Sequence, residues 1–452
     1  MNDWFEAEQR VERAQQLSES HCFGEALAEL DVALSINPNN ALWHAQRGYL
    51  LEELDRIGEA VEAYERSLQL EPDDQDVALA LGAALTHLGR YARALEVLEE
   101  LARVCPDLES TYCSRIQVYA ELGRHDQAEE MFYIAQELDD SCPHCFYHMG
   151  GSLFARGCYD RAVYCWERVL EIEPAYIGVN RRIAQAFRAK GELDRAREYF
   201  LCELRDDPGN TDLMFELAEL TLESGQLASA AARLEQIIEL DPRHAQAHFA
   251  LGSVLLQMNK PEAALACFQT TGSLIDQDGD MRGLDAKAGE ALLRLGRHAE
   301  ARVRLERAVE LVPDDPRLVT CLGDALLATN RSAAAADCYR RALAIDADDP
   351  VAHHKLALTL FMVGRMADAL KHDLHAIRSR ADYGDAMHSA SLAMLELGRW
   401  REARRMLDRA LHNNPESTDL LSLRKQILYL RVKRCASRVF RPLTLLVRGK
   451  RR

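Results

Sequence analysis

The sequence lacks the features that a membrane-spanning or secreted protein would show. A transmembrane helix needs about 18 consecutive apolar residues, and no stretch of the sequence approaches this length, so none is predicted. The first ten residues, MNDWFEAEQR, are acidic and contain no apolar run, which excludes a predicted secretory signal. Twelve cysteines without such a signal predict reduced thiols rather than a disulfide framework. We therefore expect a cytoplasmic protein, with a peripheral position at the inner face of a membrane as the alternative.

The common catalytic motifs are also missing. The sequence contains no G-x-x-x-x-G-K-[ST], no G-x-G-x-x-G after a strand, no H-E-x-x-H and no G-x-S-x-G. Its many carboxylates follow helical spacing, which is typical of solvated helix faces. We expect no enzyme, and we assign no catalytic, cofactor-binding or metal-binding residue.

Charge is divided unevenly along the chain. The whole sequence carries 55 basic and 72 acidic residues, a net charge of −17. Eleven of the basic residues and none of the acidic ones lie from Arg424 to the end. The remainder has 44 basic and 72 acidic residues, a net charge of −28. An acidic body with a basic tail is therefore predicted.

The sequence repeats itself with a period of 34 residues. Residues 44–74, HAQRGYLLEELDRIGEAVEAYERSLQLEPDD, align with residues 78–107 and with residues 287–315. Each unit has a small residue in its first half, an alanine twelve residues later and, in many units, a proline near its end. The small residues are Gly48, Gly82, Gly150, Gly252, Gly289 and Gly323.

This pattern resembles the tetratricopeptide repeat (TPR) family. The resemblance implies an all-α fold, a right-handed superhelical solenoid of about twelve helix-turn-helix units. We expect a lead-in (1–6), eight units (7–278), an insertion (279–281), four units (282–417), a capping helix (418–434) and a basic tail (435–452). A glycine should form the turn between the two helices at Gly89, Gly123, Gly157, Gly191, Gly225, Gly296, Gly364 and Gly398.

The segment DDSCPHCFYHMGG (139–151) contains a C-x-x-C pair, which occurs in zinc sites and in redox motifs. Cys145 occupies the third place of its unit, where other units have Val, Leu or Ala, so packing is favoured. Cys142 falls in a linker that we expect to face solvent. Within the unit, the further thiols Cys158 and Cys165 are poor zinc ligands because about 20 Å of helix separates Cys158 from Cys145. A site of Cys142 with two histidines, or a reactive thiol at a helix N-terminus, stays open.

In TPR proteins the first helix of each unit lines a concave groove that binds peptides or partner helices. The resemblance therefore implies a non-catalytic scaffold or adaptor for other proteins, and no cofactor. Tyrosine and arginine are typical interface anchors, and they occur in the fifth and sixth units. The predicted groove residues are His144, Tyr147, His148, Arg181, Arg182, Gln185 and Arg188. The alternative is that these arginines only pair with the carboxylates of the next unit.

The tail LRVKRCASRVFRPLTLLVRGKRR (430–452) mixes basic and apolar residues. It could bind an anionic membrane surface, dock into an acidic groove of its own or another copy, or have no role. A nucleic-acid partner is not expected, because the acidic body would oppose its approach. Recruitment to a membrane as an assembly factor is the alternative function. The tail residues assigned to it are Arg438, Phe440, Arg441, Arg448, Lys450, Arg451 and Arg452.

Overall fold

The computed structural model describes residues 2–275 and 283–428. All regular secondary structure in these two ranges is helical, and neither range contains a strand. The chain divides into two compact units, Met1–Leu220 and Thr221–Arg452. The predicted insertion 279–281 and the tail 435–452 lie outside the described residues.

The first unit is a series of helix pairs. Its helices are α1 (Asn2–Glu19), α2 (Phe23–Ile36), α3 (Ala41–Glu53), α4 (Ile57–Leu70), α5 (Gln75–His87), α6 (Tyr91–Val104), α7 (Glu109–Glu121), α8 (His125–Leu138), α9 (Pro143–Ala155), α10 (Tyr159–Ile172), α11 (Val179–Lys190) and α12 (Leu193–Asp206). The boundary between the units falls within α13 (Thr211–Glu223).

The second unit continues the same alternation. Its helices are α14 (Leu227–Leu240), α15 (Ala245–Gln257), α16 (Pro261–Leu274), α17 (Leu284–Arg294), α18 (His298–Leu311), α19 (Pro316–Ala328), α20 (Ser332–Ile345), α21 (Pro350–Met362), α22 (Met366–Ser379), α23 (Gly384–Glu396) and α24 (Trp400–Asn413). Residues 418–428 are also helical, and Leu420, Leu423 and Ile427 are buried in the last part of the core.

The repeated small residues let the two helices of a pair approach closely. Trp166 on α10 is fully buried, and its Nε1 donates a hydrogen bond to the carbonyl oxygen of Tyr147 at 3.1 Å. A Cβ at Gly150 would lie 2.4 Å from that nitrogen, so only glycine allows this contact. The same relation, sixteen residues apart, joins Gly48 to Tyr64, Gly82 to Leu98, Gly252 to Phe268, Gly289 to Leu305 and Gly323 to Tyr339.

The turn inside each pair is formed as predicted. Gly157 has a φ of 75° and ends α9, a left-handed conformation that glycine adopts without a Cβ penalty. All eight glycines that the sequence places in this turn have positive φ. This prediction is confirmed.

The first helix of many units begins with a capping side chain. Asn40, Asp74, Asn210, Asp315 and Asp349 each accept a hydrogen bond from a backbone amide of the first turn. These side chains satisfy amides that have no partner inside the helix. The equivalent residue before α9 is a cysteine, which makes no such capping bond. The repeat boundary before α9 is therefore built differently from these five.

Candidate functional site

The predicted groove residues on α9 form an aromatic group with the loop after α10. His144 Nδ1 lies 2.8 Å from the hydroxyl of Tyr176, and the ring centroids of Tyr147 and Tyr176 are 5.3 Å apart. Tyr147 also meets the ring of His148 edge-on at 5.5 Å. Burial, followed by the nearby His144, lowers the pKa of His148 to about 4, so His148 is neutral at pH 7. Tyr176 was not predicted, because it lies in a connecting loop.

The predicted arginines on α11 pair largely with carboxylates of α13. Arg181 Nε donates to Glu216 Oε1 at 2.8 Å, and its side chain forms an ion pair with the same carboxylate. Gln185 donates to Glu216 Oε2 at 3.2 Å. Arg188 pairs with Glu219 at 3.2 Å. For Arg181 and Arg188, the alternative of pairing with the next unit's carboxylates therefore describes the structure.

Arg182 differs from these neighbours. Its side chain is exposed, and within the described ranges it has no ion-pair or hydrogen-bond partner. The loop that leads into the same helix carries Ile177, which is 90% exposed. A large apolar side chain this exposed was not predicted, since repeat position alone does not report loop burial. An unpaired guanidinium and an exposed apolar side chain thus lie close together in the sequence.

A second group of side chains meets beside the same repeat boundary. Glu109, Cys113, Cys142 and Cys145 each offer one ligand atom, and these four atoms lie within 4.8 Å of one another. We call this group the cysteine cluster. Cys145 is 1% exposed, and its Sγ donates to Glu109 Oε1 at 2.8 Å. Cys113 is buried, and Cys142 is partly buried rather than solvent-facing as the sequence suggested.

Two packed helices place the four residues of the cysteine cluster. Glu109 and Cys113 are four residues apart on α7, so their side chains share one face of the helix. Cys142 is the N-cap of α9 and Cys145 lies in its first turn. Because α7 packs directly against α9, the pair on α7 lies against the pair at the start of α9.

The protein groups alone concentrate negative charge on Cys142, because hydrogen bonds to neighbouring thiols raise the pKa values of Cys113 and Cys145. Thiol hydrogen bonds from Cys113 and then from Cys145 lower the pKa of Cys142 well below that of an ordinary thiol. Burial raises the pKa of Glu109 to about 7, and the thiol of Cys145 opposes the rise. No Lys or Arg among the described residues forms an ion pair with Glu109, so protein cations leave its carboxylate uncompensated.

This convergence was not predicted, because the members of the cysteine cluster come from two repeats. The cysteine cluster draws Glu109 and Cys113 from the first helix of the preceding repeat and Cys142 from the end of that repeat, and it includes neither Cys158 nor Cys165. Cys113 lies 32 residues before Cys145, almost one period, so the signal was present in the sequence. A search for ligand-type residues about one period apart, rather than close in sequence, would have found it.

The second unit contains a buried arrangement of serine, histidine and aspartate. His354 Nδ1 lies 2.9 Å from Asp373 Oδ1, and Ser389 Oγ donates to Asp373 Oδ2. Ser389 Oγ is 3.4 Å from the same Nδ1 atom of His354. In a catalytic triad the serine and the aspartate contact opposite ring nitrogens of the histidine. Here both meet one nitrogen and all three side chains are buried, so the group is a structural network.

Within residues 2–275 and 283–428, no helix combines the length and the apolar character that crossing a bilayer requires. The proposed tail interactions involve residues beyond this part of the chain.

Several comparisons relate the chain to known proteins. Family profiles described as tetratricopeptide repeat match residues 51–109, 111–132, 221–288, 287–350 and 385–417. The TPR repeat-containing protein YpiA of Bacillus subtilis (strain 168) is 25% identical over 188 residues. That alignment includes 41% of this chain and 44% of YpiA, so the chain spans less than half of that relative.

Two solved structures align along most of the chain. A chain of the APC/C hetero-tetramer Cut9-Hcn1 has 13% identity and a TM-score of 0.47, with 92% of this chain and 95% of that chain covered. Yeast Tom70 has 14% identity and a TM-score of 0.37, with 99% of each chain covered. The 34-residue period, the helix pairs with glycine turns and the matching family profiles show that the chain belongs to the tetratricopeptide repeat family.

Proposed function

We propose that the protein is a non-catalytic scaffold that binds a peptide or helical segment of a partner protein on the first-helix face of α9 and α11. The observation that carries the proposal is the exposed Arg182, which has no side-chain partner in the described ranges although Arg181 and Arg188 on the same helix are paired. A free guanidinium suits a carboxylate, which it binds through two parallel hydrogen bonds.

The side chains of α9 and of the loop before α11 indicate the kind of segment that would bind. Ile177 offers an exposed apolar contact, and the tilted pair of Tyr147 and Tyr176 offers aromatic area with polar edges. Tyrosine and arginine together are the usual composition of an interface anchor. We therefore expect a partner segment with an acidic residue near an apolar one.

The paired arginines have a supporting role in this mechanism. Arg181 and Gln185 both hold Glu216, and this restrains α11 relative to α13 within the first unit. A surface that is already fixed loses little conformational entropy when a partner binds. The scaffold thus presents Arg182 on a rigid helix while the partner segment becomes ordered.

The test compares two exposed arginines on adjacent helices. A photo-crosslinking residue is placed at position 182 or at position 197, which is exposed on α12, and crosslinked partners are identified from the native cell. Arg182→Glu should weaken capture of the same partner about tenfold, a loss of about 1.4 kcal/mol. Arg197→Glu should leave it unchanged. Equal crosslinking at both positions, or an equal effect of both substitutions, would contradict the proposal.

The alternative proposal is recruitment to a membrane surface from the cytoplasmic side. It rests on the nine basic residues of the segment 430–452, each of which could contribute about 1 kcal/mol at an anionic bilayer. Flotation with phosphatidylserine vesicles, using the full chain and a chain truncated after residue 429, is the measurement. Loss of flotation on truncation would favour this function, whereas equal flotation would remove it.

A further inference from the structure

The cysteine cluster brings together more metal-ligating atoms than packing requires. Equivalent third-place residues in other repeats are plain apolar side chains, such as the buried Val77 and Ala247. Here the third-place Cys145 instead faces two more sulfur atoms and a carboxylate oxygen. We propose that Glu109, Cys113, Cys142 and Cys145 bind one Zn²⁺ ion that joins α7 to α9.

The distances suit this ion. Zn–S bonds of about 2.3 Å in a tetrahedron place neighbouring sulfurs about 3.8 Å apart. The four ligand atoms already lie within 4.8 Å of one another, so closing around an ion requires shifts on the order of 1 Å. Side-chain rotation alone can provide shifts of this size. The helices that carry the ligands need not move.

The ligand types select the metal. Three thiols exclude Mg²⁺ and Ca²⁺, which bind oxygen ligands, and favour a soft or borderline ion. Four ligands in a compact group match the closed tetrahedral coordination of structural zinc. On binding, the thiols of the cluster release their protons to solvent and become thiolates.

The charge balance and the helix ends also fit. Three thiolates and one carboxylate carry four negative charges, of which Zn²⁺ neutralises two. Glu109 is in the first turn of α7 and Cys142 is the N-cap of α9, so the positive ends of two helix dipoles lie at the site. Neither helix has a capping side-chain hydrogen bond. No side-chain cap therefore competes with the metal-bound sulfurs at these two helix ends.

The first measurement uses the full-length protein, purified with a phosphine reductant and without chelator. Mass spectrometry of the elements should find one zinc per chain. After exchange with Co²⁺ alone, the protein should show thiolate-to-cobalt charge-transfer bands and the strong visible bands of a tetrahedral site. Absence of the thiolate bands in the reduced, folded protein would overturn the proposal. So would a disulfide between cluster cysteines in protein prepared with zinc present.

Matched variants assign the ligands. Cys142→Ser should keep the helix, because serine is a good N-cap, and should lower zinc affinity by at least about 100-fold in chelator competition, more than loss of an outer hydrogen bond does. Cys158→Ser is the control, since Cys158 is also a partly buried N-cap but lies outside the cysteine cluster. Glu109→Gln tests the carboxylate while retaining its size. Equal zinc content and affinity in Cys142→Ser and in the unsubstituted protein would overturn the assignment, provided that circular dichroism shows both folded.

Discussion

Two buried polar groups, one in each compact unit, use the repeat core in opposite ways. In the second unit, Asp373 accepts hydrogen bonds from His354 and Ser389, so its carboxylate is satisfied by protein donors. In the first unit, the cysteine cluster gathers one carboxylate and three sulfurs, and the Glu109 carboxylate accepts a hydrogen bond from a thiol of the same cluster, Cys145.

The difference shows how a structural network can be separated from a ligand site in a repeat protein. Burial of a polar group is costly unless its hydrogen bonds are made, and the network of His354, Asp373 and Ser389 makes them internally. The cysteine cluster meets its carboxylate with a thiol, which is a weak donor, and a cation would contact all four ligand atoms at once. The balance of donors and acceptors is therefore more informative than the identity of the residues.

Removing the acceptor of the satisfied network should have the largest effect. Asp373→Ala removes the buried carboxylate that both His354 and Ser389 contact, and the free energy of unfolding should fall by about 3 kcal/mol or more. Urea unfolding followed by circular dichroism measures this. Asp337→Ala is the control, because Asp337 forms an exposed pair with Arg340, and exposed pairs contribute about 1 kcal/mol or less. Similar losses for both variants would contradict our account of the network.

Removing the metal should affect only the cysteine cluster. Zinc held at 100 times its dissociation constant stabilises the folded state by about 2.7 kcal/mol, and a chelator should abolish this. The thermal midpoint should fall on chelation in the unsubstituted protein and in Asp373→Ala, but not in Cys142→Ser. A chelator effect that survives Cys142→Ser would place the metal elsewhere.

Substitutions at two glycines of α9 distinguish the effect of helix packing from the effect of metal binding. A Cβ at Gly150 would collide with Trp166, so Gly150→Ala should lower the free energy of unfolding by about 1–3 kcal/mol. Gly151→Ala on the same helix meets nothing within 4 Å and should raise it by about 0.5–1 kcal/mol. Both variants keep every zinc ligand, so both should retain one zinc per chain.

Acid should lower the free energy of unfolding of the second unit slightly, and this is the smallest of the expected effects. Burial lowers the pKa of His353 and of His372, whose Nδ1 atoms are 3.0 Å apart. The folded state therefore binds fewer protons at these residues than the unfolded state does. Stability is present above the unfolded histidine pKa of about 6.5 and is lost as the pH falls below it. Unfolding at pH 7.5 and 5.5 should show this fall, and His372→Gln should reduce it; an unchanged slope would contradict the assignment.

The fold could be predicted well from the sequence because the same packing and turn requirements select the same residue types in many repeats. A glycine at the turn and a glycine opposite a large side chain recur in register. Gly157 is an example of the first and Gly150, opposite Trp166, of the second. The candidate site was predicted less completely. Tyr176 and Ile177 lie in a loop, where position in the repeat does not determine exposure. Cys113 meets Cys145 only through packing of adjacent repeats, and His354, Asp373 and Ser389 have no spacing that a motif would reveal.

Cys142 stands where other repeats have a capping Asn or Asp, and this suggests how the ligand set could be moved to another repeat. At the boundary before α5, the equivalent places are Ala41, Ala45, Asp74 and Val77, which correspond to Glu109, Cys113, Cys142 and Cys145. Ala41→Glu with Ala45→Cys, Asp74→Cys and Val77→Cys would transplant the ligand set without altering helix length. A repeat array could then carry metal clips at chosen intervals, so that its rigidity becomes adjustable by the concentration of an ion.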